Sequence, residues 1–354
     1  MDWMIYGANG YTGELIAREA RRRGMSPVLA GRSAAPVQAL ASELGLTART
    51  FSLDDPEQVR EGLEGISLVL HCAGPFSATS APMIEGCLAA GAHYLDITGE
   101  IDVFLHAREQ HQRACERGVV ICPGVGFDVI PTDCVAACLK DLMADATHLA
   151  LGFDTASGLS HGTAMTTVEF IGKGGRARRN GEVVAVPMAE KVRRIDFGAG
   201  EKTAMTIPWG DVATAFETTG IANIDVYIPV PAWFVPMARL GNLLRPLLAS
   251  RPVQWCLRAL VDRFVSGPDE RAREKLDTAV WGEVRNEAGH SMTVRIGTAN
   301  GYALTVTGSL AVVTFLLDQH APAGYSTPAR LMGASLVESL PGSGAFQVED
   351  HSLD

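Results

Sequence analysis

The 354-residue chain lacks a closely spaced set of cysteines: it has seven, and none form a Cys-x-x-Cys pair. Neither a disulfide framework nor a metal site is therefore indicated, and a reducing cytoplasm is the expected location. The net charge of −10 excludes a nucleic-acid partner of the usual basic kind. Because 47% of the residues are hydrophobic, an intrinsically disordered chain is also excluded.

Targeting and membrane-spanning segments are also not expected. The start MDWMIYGANG has no basic region and too short an apolar stretch for a signal peptide. We find no uncharged apolar run of about 18 residues; the nearest approach is 233–265, which prolines and regularly spaced arginines interrupt. That segment is typical of two amphipathic helices, and ordinary packing is the expected use. A hydrophobic substrate, a lid, a dimer contact or an anionic membrane surface are the alternatives.

Short apolar runs alternate with helical stretches from WMIYG (3–7) to VVICPG (119–124). The runs are continuous, as in parallel strands buried on both faces. The alternation predicts an α/β fold with a doubly wound parallel sheet of the Rossmann type over 1–125. An α+β second domain is predicted over 126–322. A carboxy-terminal helix and strand, 323–354, are expected to pack back on the first domain.

Three glycines follow the first apolar run in IYGANGYTG, residues 5–13. Gly7 permits a sharp turn, Gly10 lets backbone approach a phosphate, and Gly13 allows the following helix to pack on the strand. A strand, a glycine loop and a helix amino terminus together make an anion site, which predicts a bound dinucleotide. A purely structural turn is the alternative. The predicted contacts are Gly7, Ala8, Asn9, Gly10, Tyr11, Thr12 and Gly13.

The residues after the second apolar run indicate which dinucleotide binds. NAD-binding folds carry an acidic residue there, and this chain has Gly31, Arg32 and Ser33 instead. Arg32 can pair with a 2′-phosphate and Ser33 can donate a hydrogen bond, so NADP(H) is favoured. A solvated surface arginine is the alternative. Leu53 and Asp54, after the third run, are also predicted to border the cofactor.

Three further stretches, HCAGPF (71–76), AAGAHYLDITGE (89–100) and PGVGFDVIPTD (123–133), resemble the saccharopine dehydrogenase-like oxidoreductases. The likeness continues through HGTAMTTVE (161–169), PWGDVATAFETTGIANIDVY (208–227), GPDERAR (267–273) and GYSTPARLMG (324–333), and favours the subgroup that contains trans-acting enoyl reductases. It implies an NADP-binding Rossmann domain, a dimerising substrate domain, and reduction of a C=N, C=O or C=C bond. It does not imply saccharopine as substrate, because the best basic candidates for a di-acid, Arg176, Arg178 and Arg179, are also typical of a solvated turn.

Ligands of a doubly wound sheet bind beyond the carboxyl ends of its strands. Cys72, Ala73, Gly74, Pro75 and Phe76 follow the fourth run and are predicted to border the cofactor. Phe76 is expected either near the nicotinamide or in the core.

Candidate proton donors follow the fifth and sixth runs. Asp96 could share or relay a proton with Glu100, and Tyr94 on the same strand face is an alternative acid; Glu100 is rather expected to cap the helix predicted at 102–117. Asp128 is a candidate for positioning substrate or handling a proton, with an Asx-turn as the alternative. His161 can also donate a proton, although a structural histidine is the more common case.

These residues predict an NADPH-dependent oxidoreductase, and the family resemblance implies that it reduces a C=N, C=O or enoyl C=C bond of a small or hydrophobic substrate. No Tyr-x-x-x-Lys pair is present, which excludes the short-chain reductase mechanism. The alternative is a non-catalytic NADP-binding redox sensor or scaffold. We expect a homodimer.

Overall fold

The structure is a computed structural model that describes residues 2–155, 174–264, 278–319 and 321–351. The chain divides into two compact units, Met1–Ile130 with Tyr302–Leu336, and Pro131–Gly301 with Val337–Asp354. The domain boundaries expected from the sequence, 125 and 322, stay predictions. The contacts group the chain differently at two places, because the first unit takes in Tyr302–Leu336 and the second unit takes in Val337–Asp354.

The strands are, in chain order, β1 Asp2–Tyr6, β2 Val28–Gly31, β3 Ala48–Thr50, β4 Ile66–His71, β5 His93–Asp96, β6 Val120–Cys122, β7 His148–Thr155, β8 Gly175–Arg179, β9 Glu182–Val186, β10 Val192–Asp196, β11 Glu201–Thr206, β12 Asn223–Pro229, β13 Thr278–Arg285, β14 Ser291–Thr298, β15 Gly324–Tyr325 and β16 Gln347–His351. The helices are α1 Tyr11–Arg22, α2 Ala34–Leu44, α3 Pro56–Gly62, α4 Phe76–Ala90, α5 Ile101–Glu109, α6 His111–Arg117, α7 Ile130–Leu142, α8 Asp211–Thr219, α9 Phe234–Leu243, α10 Arg245–Leu248, α11 Arg251–Phe264, α12 Gly301–Asp318, α13 Pro328–Met332 and α14 Leu336–Ser339.

The first unit contains a seven-stranded sheet in the order β3-β2-β1-β4-β5-β6-β15, and all of its pairings are parallel. Strands β1, β2 and β4 to β6 are almost entirely buried, as continuous apolar runs require. Helices follow most of these strands, so the connections are βαβ crossovers. The predicted doubly wound α/β fold is therefore confirmed.

The second unit is built on a nine-stranded mixed sheet in the order β10-β11-β12-β7-β13-β14-β16, with β8 and β9 branching from β12. Most of its pairings are antiparallel, and β7 with β12 is parallel. Strands β13 and β14 form a hairpin, joined at 286–290 with Gly289 at a φ of 87°. Helix α7 packs closely on β13, since a β-carbon on Gly282 would lie 2.5 Å from a Val135 methyl.

Two predicted helical stretches are broken more often than the sequence indicated. The helix expected at 102–117 is divided at Gln110 into α5 and α6. The segment 233–265 contains α9, α10 and α11 rather than two helices. Pro246 and Pro252 lie in the first turns of α10 and α11, where proline starts a helix readily and cannot continue the preceding one.

Helix α12 is a feature that the sequence did not single out. Among the described residues it is long and apolar enough, by length and composition, to cross a membrane, and 44% of it is buried inside the protein. Thr, Ser and Gly residues interrupt the apolar run of this helix, so it is less conspicuous in the sequence than the segment 233–265. The buried core helix of a globular protein passes the same test, and Leu304, Leu310 and Val313 of α12 are fully buried.

The carboxy-terminal tail is divided between the two sheets. Strand β15 pairs with β6 in the first sheet. Strand β16 instead pairs with β14 at the edge of the second sheet.

Candidate cofactor-binding site

The ends of four strands lie at one level along the first sheet. Tyr6 at the end of β1 is the register partner of Ala30 on one side and of His71 on the other, and His71 is the partner of Asp96. The strand order 3-2-1-4-5-6 reverses between β1 and β4, so the loops that follow these two strands form the topological switch point. Ligands of open α/β sheets bind at this point.

The glycine loop after β1 is shaped by close backbone contacts. Gly7 has a φ of 84°, and a β-carbon there would lie 2.7 Å from the Ala73 amide nitrogen in the loop after β4. A β-carbon on Gly13 would lie 2.3 Å from the Gly7 carbonyl oxygen. Side chains at either position would therefore drive α1 or the second loop away from β1.

Helix α1 begins directly after Gly10, which has an extended backbone and no side chain to cap the helix. The first amide groups of a helix have no partner within it, and its dipole favours negative charge at this end. Asn9, Gly10 and Tyr11 are exposed, so the helix end is accessible to a phosphate. The amide of Ala8 donates instead to the Ala30 carbonyl at 3.1 Å, which makes Ala8 a structural member of the loop.

The end of β2 approaches the glycine loop and then presents two exposed polar side chains. A β-carbon on Gly31 would lie 2.9 Å from the Asn9 side-chain oxygen. Arg32 is exposed and makes no hydrogen bond or ion pair with any residue in the described part of the chain. Ser33 precedes α2 without capping it through its hydroxyl. These donors fit the 2′-phosphate of NADP.

Asp54 and Leu53, after β3, complete this edge. Asp54 is exposed and accepts a hydrogen bond from the Ser52 hydroxyl at 2.9 Å, while Leu53 packs against the core. Burial raises the pKa of Tyr6 to about 12, and the charges of Arg32 and Asp54 act on that hydroxyl in opposite directions. The two charges therefore lie near the same buried ring.

The loop after β4 runs from Cys72 to Pro75 beside the glycine loop. The Cys72 amide donates to the Tyr6 carbonyl at 2.7 Å, which ties the two loops together. Gly74 and Pro75 are exposed, and Phe76 begins α4 with its ring edge-on to His71 at 5.4 Å between centroids. Phe76 thus contacts a buried ring while remaining partly exposed at the start of the helix.

Glu100 has a different partner from the one that the sequence indicated. Its carboxylate accepts hydrogen bonds from the Phe76 and Ser77 amides, both at 2.9 Å, and it makes no side-chain cap of α5. The expected capping of the helix after Glu100 is therefore wrong: the carboxylate stabilises the amino terminus of α4 instead. It thereby holds the loop that ends at Pro75.

Tyr94 and Asp96 form a buried pair on β5. The Tyr94 hydroxyl donates to Asp96 at 2.7 Å, and the amides of Thr98 and Gly124 donate to the other carboxylate oxygen at 3.0 and 2.9 Å. Burial raises the pKa of Asp96 to about 6 and, together with the adjacent carboxylate, raises that of Tyr94 well above its usual value. This arrangement joins the end of β5 to the loop after β6, and no surface of either side chain faces solvent.

Asp128 lies in the loop after β6 and keeps part of its surface exposed. It packs on Gly99, where an added β-carbon would lie 2.8 Å from a carboxylate oxygen of Asp128. The surrounding atoms raise the pKa of its carboxyl to about 6 by desolvation. Asp128 is therefore the one of the predicted acids within the described chain that combines a raised pKa with partial exposure.

Other residues singled out in the sequence lie elsewhere. His161 and the stretches 161–169 and 267–273 fall outside the described residues. Arg178 and Arg179 belong to β8 rather than to a solvated turn. Arg178 donates to the carbonyls of Val212 and Gly181 and lies over the Phe216 ring, and Arg179 pairs with Asp225 at 2.7 Å.

Sequence reasoning overlooked two aromatic neighbours of the site. His71 is fully buried beside Tyr6 and Tyr94, with its Nε2 at 3.0 Å from the Thr79 hydroxyl, and burial lowers its pKa to about 3. Tyr302 of α12 stacks edge-on against Tyr11 at 5.2 Å between centroids. The two tyrosines are far apart in sequence and no local motif marks Tyr302, so only the fold reveals the pair.

Residues 3–122 match the family model of the saccharopine dehydrogenase NADP binding domain. A saccharopine dehydrogenase-like oxidoreductase of Homo sapiens is 30% identical over 152 residues, which cover 37% of this chain and 35% of that protein. The chain thus spans about a third of the length of the first such relatives.

Likeness over the whole chain is found with other proteins. A Mycobacterium tuberculosis protein named as a trans-acting enoyl reductase is 25% identical, over 97% of this chain and 96% of its own. Saccharopine dehydrogenase (L-Glu forming) of Saccharomyces cerevisiae has the same fold, with a TM-score of 0.66, 10% identity and coverage of 98% and 99%. Homospermidine synthase of Legionella pneumophila, solved in complex with NAD, has a TM-score of 0.61 at 10% identity, over 99% and 92% of the two chains.

The predicted family and cofactor class are therefore confirmed. The matched residues include the glycine loop, the Arg32 segment and the loop after β4, which the structure brings together at one edge of the sheet. Residues 3–122 match the saccharopine dehydrogenase NADP binding domain, and the chain as a whole is similar to a protein named as a trans-acting enoyl reductase.

Proposed function

We propose that this protein is an NADPH-dependent reductase whose substrate carries an enoyl C=C bond. The observation that carries the cofactor choice is Arg32, exposed at the end of β2 without a partner among the described residues. The choice of bond is supported by the full-length likeness to the protein named as a trans-acting enoyl reductase. Reduction of a C=N or C=O bond is the neighbouring proposal within the same family.

The chain's own residues have distinct tasks in this proposal. The glycine loop and the first turn of α1 bind the pyrophosphate, and Arg32 with Ser33 binds the 2′-phosphate. Gly74 and Pro75 border the nicotinamide end, held in place by the Glu100 cap of α4. Bound NADPH supplies the hydride.

Asp128 is the proposed holder of the proton that accompanies the hydride. With a pKa of about 6, its carboxyl keeps a usable protonated fraction near neutral pH, whereas an ordinary aspartate does not. Asp96 is proposed to position the loop after β6 through its bond from Gly124, because its own surface is buried. Tyr94 holds Asp96 in place in the same way.

The decisive test is a substrate panel with the full chain. The protein is incubated with NADPH and with enoyl thioesters, ketones or imines, while the absorbance of NADPH is followed. Each class is represented by a small and by a hydrophobic compound. We expect NADPH oxidation with an enoyl compound and none in the Gly13→Ala variant, whose cofactor loop is blocked. NADPH oxidation with only an imine or a ketone would change the proposed bond to C=N or C=O, while the proposal of a reductase would stand.

Tight NADPH binding without NADPH oxidation by any class of substrate would overturn the proposal of a reductase. It would favour the non-catalytic sensor or scaffold. The homodimer and the cytoplasmic location stay predictions. Light scattering on the purified chain measures the assembly.

A further inference from the structure

Helix α9 of the second unit is held on one side by the chain between β9 and β10. The Asn242 side chain exchanges two hydrogen bonds with the Met188 backbone, at 2.8 and 3.1 Å, and Arg239 donates to the Ala189 carbonyl at 3.2 Å. Val235 is buried. These contacts fix the inner side of α9 on the chain between β9 and β10.

The outer side of these helices is apolar and open to solvent. Trp233, Met237 and Leu240 are spaced at helical intervals, and they are 66%, 58% and 57% exposed. We call the following set the exposed apolar face: Trp233, Met237, Leu240, Leu243, Leu247 and Trp255. Every member is more than half exposed. The packing expected from the sequence is therefore absent on this side, within the described residues.

The same segment has an unusual charge. Between Asp225 and Asp262 there is no acidic residue, and four arginines occur, at 239, 245, 251 and 258, in a chain whose net charge is −10. Arg251 is exposed and makes no ion pair with a described residue. Arg239 is likewise exposed and makes no ion pair with a described residue, so two open positive side chains accompany the exposed apolar face.

We propose that the exposed apolar face binds the surface of an anionic lipid bilayer. Amphipathic helices with arginines and outward tryptophans bind at the boundary between headgroups and acyl chains. The negative surface of such a bilayer attracts the arginines. A second copy of this chain is the competing occupant, and the assembly measurement below distinguishes it. The proposal is independent of the reductase activity.

Vesicle co-sedimentation of the full chain tests this proposal. Vesicles of phosphatidylcholine alone are compared with vesicles that also contain phosphatidylglycerol. We expect binding to the anionic vesicles only, weakened by added salt, with a blue shift of tryptophan fluorescence as Trp233 and Trp255 leave water. Absence of binding to anionic vesicles, or equal binding to neutral ones, would overturn the proposal.

Substitutions locate the binding face. The triple variant Trp233→Ser, Leu240→Ser, Trp255→Ser should lower the partition into anionic vesicles about tenfold or more, and Arg251→Gln should lower it about fivefold. The matched control is Leu142→Ser with Val348→Ser, two exposed apolar residues elsewhere in the second unit. It should bind as the wild type does, with thermal melting confirming that each variant is folded.

Equal losses in the control and the triple variant would contradict the assigned face. A wild-type dimer that the triple variant converts to monomers, without any vesicle binding, would assign the face to a second copy and overturn the proposal. Both outcomes are read by sedimentation velocity on the same samples.

Discussion

Arg32 and Ser33 stand at the end of β2 at the place where a carboxylate would select NAD. Arg32 is exposed, and among the described residues its guanidinium has no competing partner. The Arg32→Asp variant should therefore lose about tenfold to hundredfold in NADPH affinity, because a charge-assisted pair with phosphate becomes a repulsion. NADH affinity should be equal or higher. Fluorescence titration with both cofactors measures the change.

Arg22→Asp is the matched control for that variant. Arg22 is an exposed arginine at the far end of α1, paired with Glu19 at 2.6 Å. It should leave both affinities unchanged. If wild-type protein bound NADPH and NADH equally well, the assignment of Arg32 to the 2′-phosphate would be wrong.

Asp128 is a second residue whose proposed role can be tested, through the pH dependence of turnover. Desolvation raises the pKa of its carboxyl to about 6, so its protonated fraction falls as the pH rises through that value. Turnover should therefore decline above about pH 6 in the wild type. Asp128→Asn should lower turnover about tenfold to a thousandfold, while NADPH affinity stays the same. The turnover of this variant should no longer decline above about pH 6. An unchanged turnover in the variant would remove Asp128 from the chemistry.

At the scale of elements, the close approach of α1 to β1 depends on a missing side chain. A β-carbon on Gly13 would lie 2.3 Å from the Gly7 carbonyl oxygen, and backbone on both sides leaves little room to adjust. Gly13→Ala should lower the free energy of unfolding by about 1–3 kcal/mol and abolish measurable NADPH binding. Denaturant melting and cofactor titration check the two effects.

Gly241→Ala is the control for the glycine loop. Gly241 lies inside α9 with open space around its β-position, so alanine should stabilise the helix by about 0.5–1 kcal/mol. NADPH affinity should not change. A Gly13→Ala variant that behaved like this control would show that the loop tolerates a side chain.

At the scale of the whole molecule, two desolvated carboxyls link the stability of the fold to pH. The pKa values of Asp96 and Asp128 are both raised to about 6 by desolvation, above the ordinary value near 4 in an unfolded chain. The folded state therefore binds protons more tightly than the unfolded state. The resulting stabilisation is fully present below about pH 4 and is lost as the pH rises through about 6.

The unfolding free energy of the wild type should consequently fall between about pH 4 and pH 6 more steeply than that of an Asp96→Asn, Asp128→Asn double variant. Denaturant melting across this range measures both slopes. Identical slopes would mean that neither carboxyl has a raised pKa in the folded protein.

The sequence determined those features that follow from local pattern. Continuous apolar runs alternating with helices specify a buried parallel sheet, and glycines at 7, 10 and 13 specify the turn and close packing that a dinucleotide loop needs. The cofactor class also followed from the sequence, since one position after the second strand distinguishes a 2′-phosphate from a hydroxyl. These conclusions need only neighbours along the chain.

Only the tertiary structure decided which distant residues meet and which side chains stay exposed. Glu100 caps α4 rather than its own helix, and Tyr302 reaches Tyr11 from the far end of the chain, because sheet order brings separate segments to one edge. The helices of 233–265 have the amphipathic pattern of packed helices, yet Trp233 and Trp255 face solvent. Periodicity defines an apolar face, but what covers that face depends on its neighbours in space.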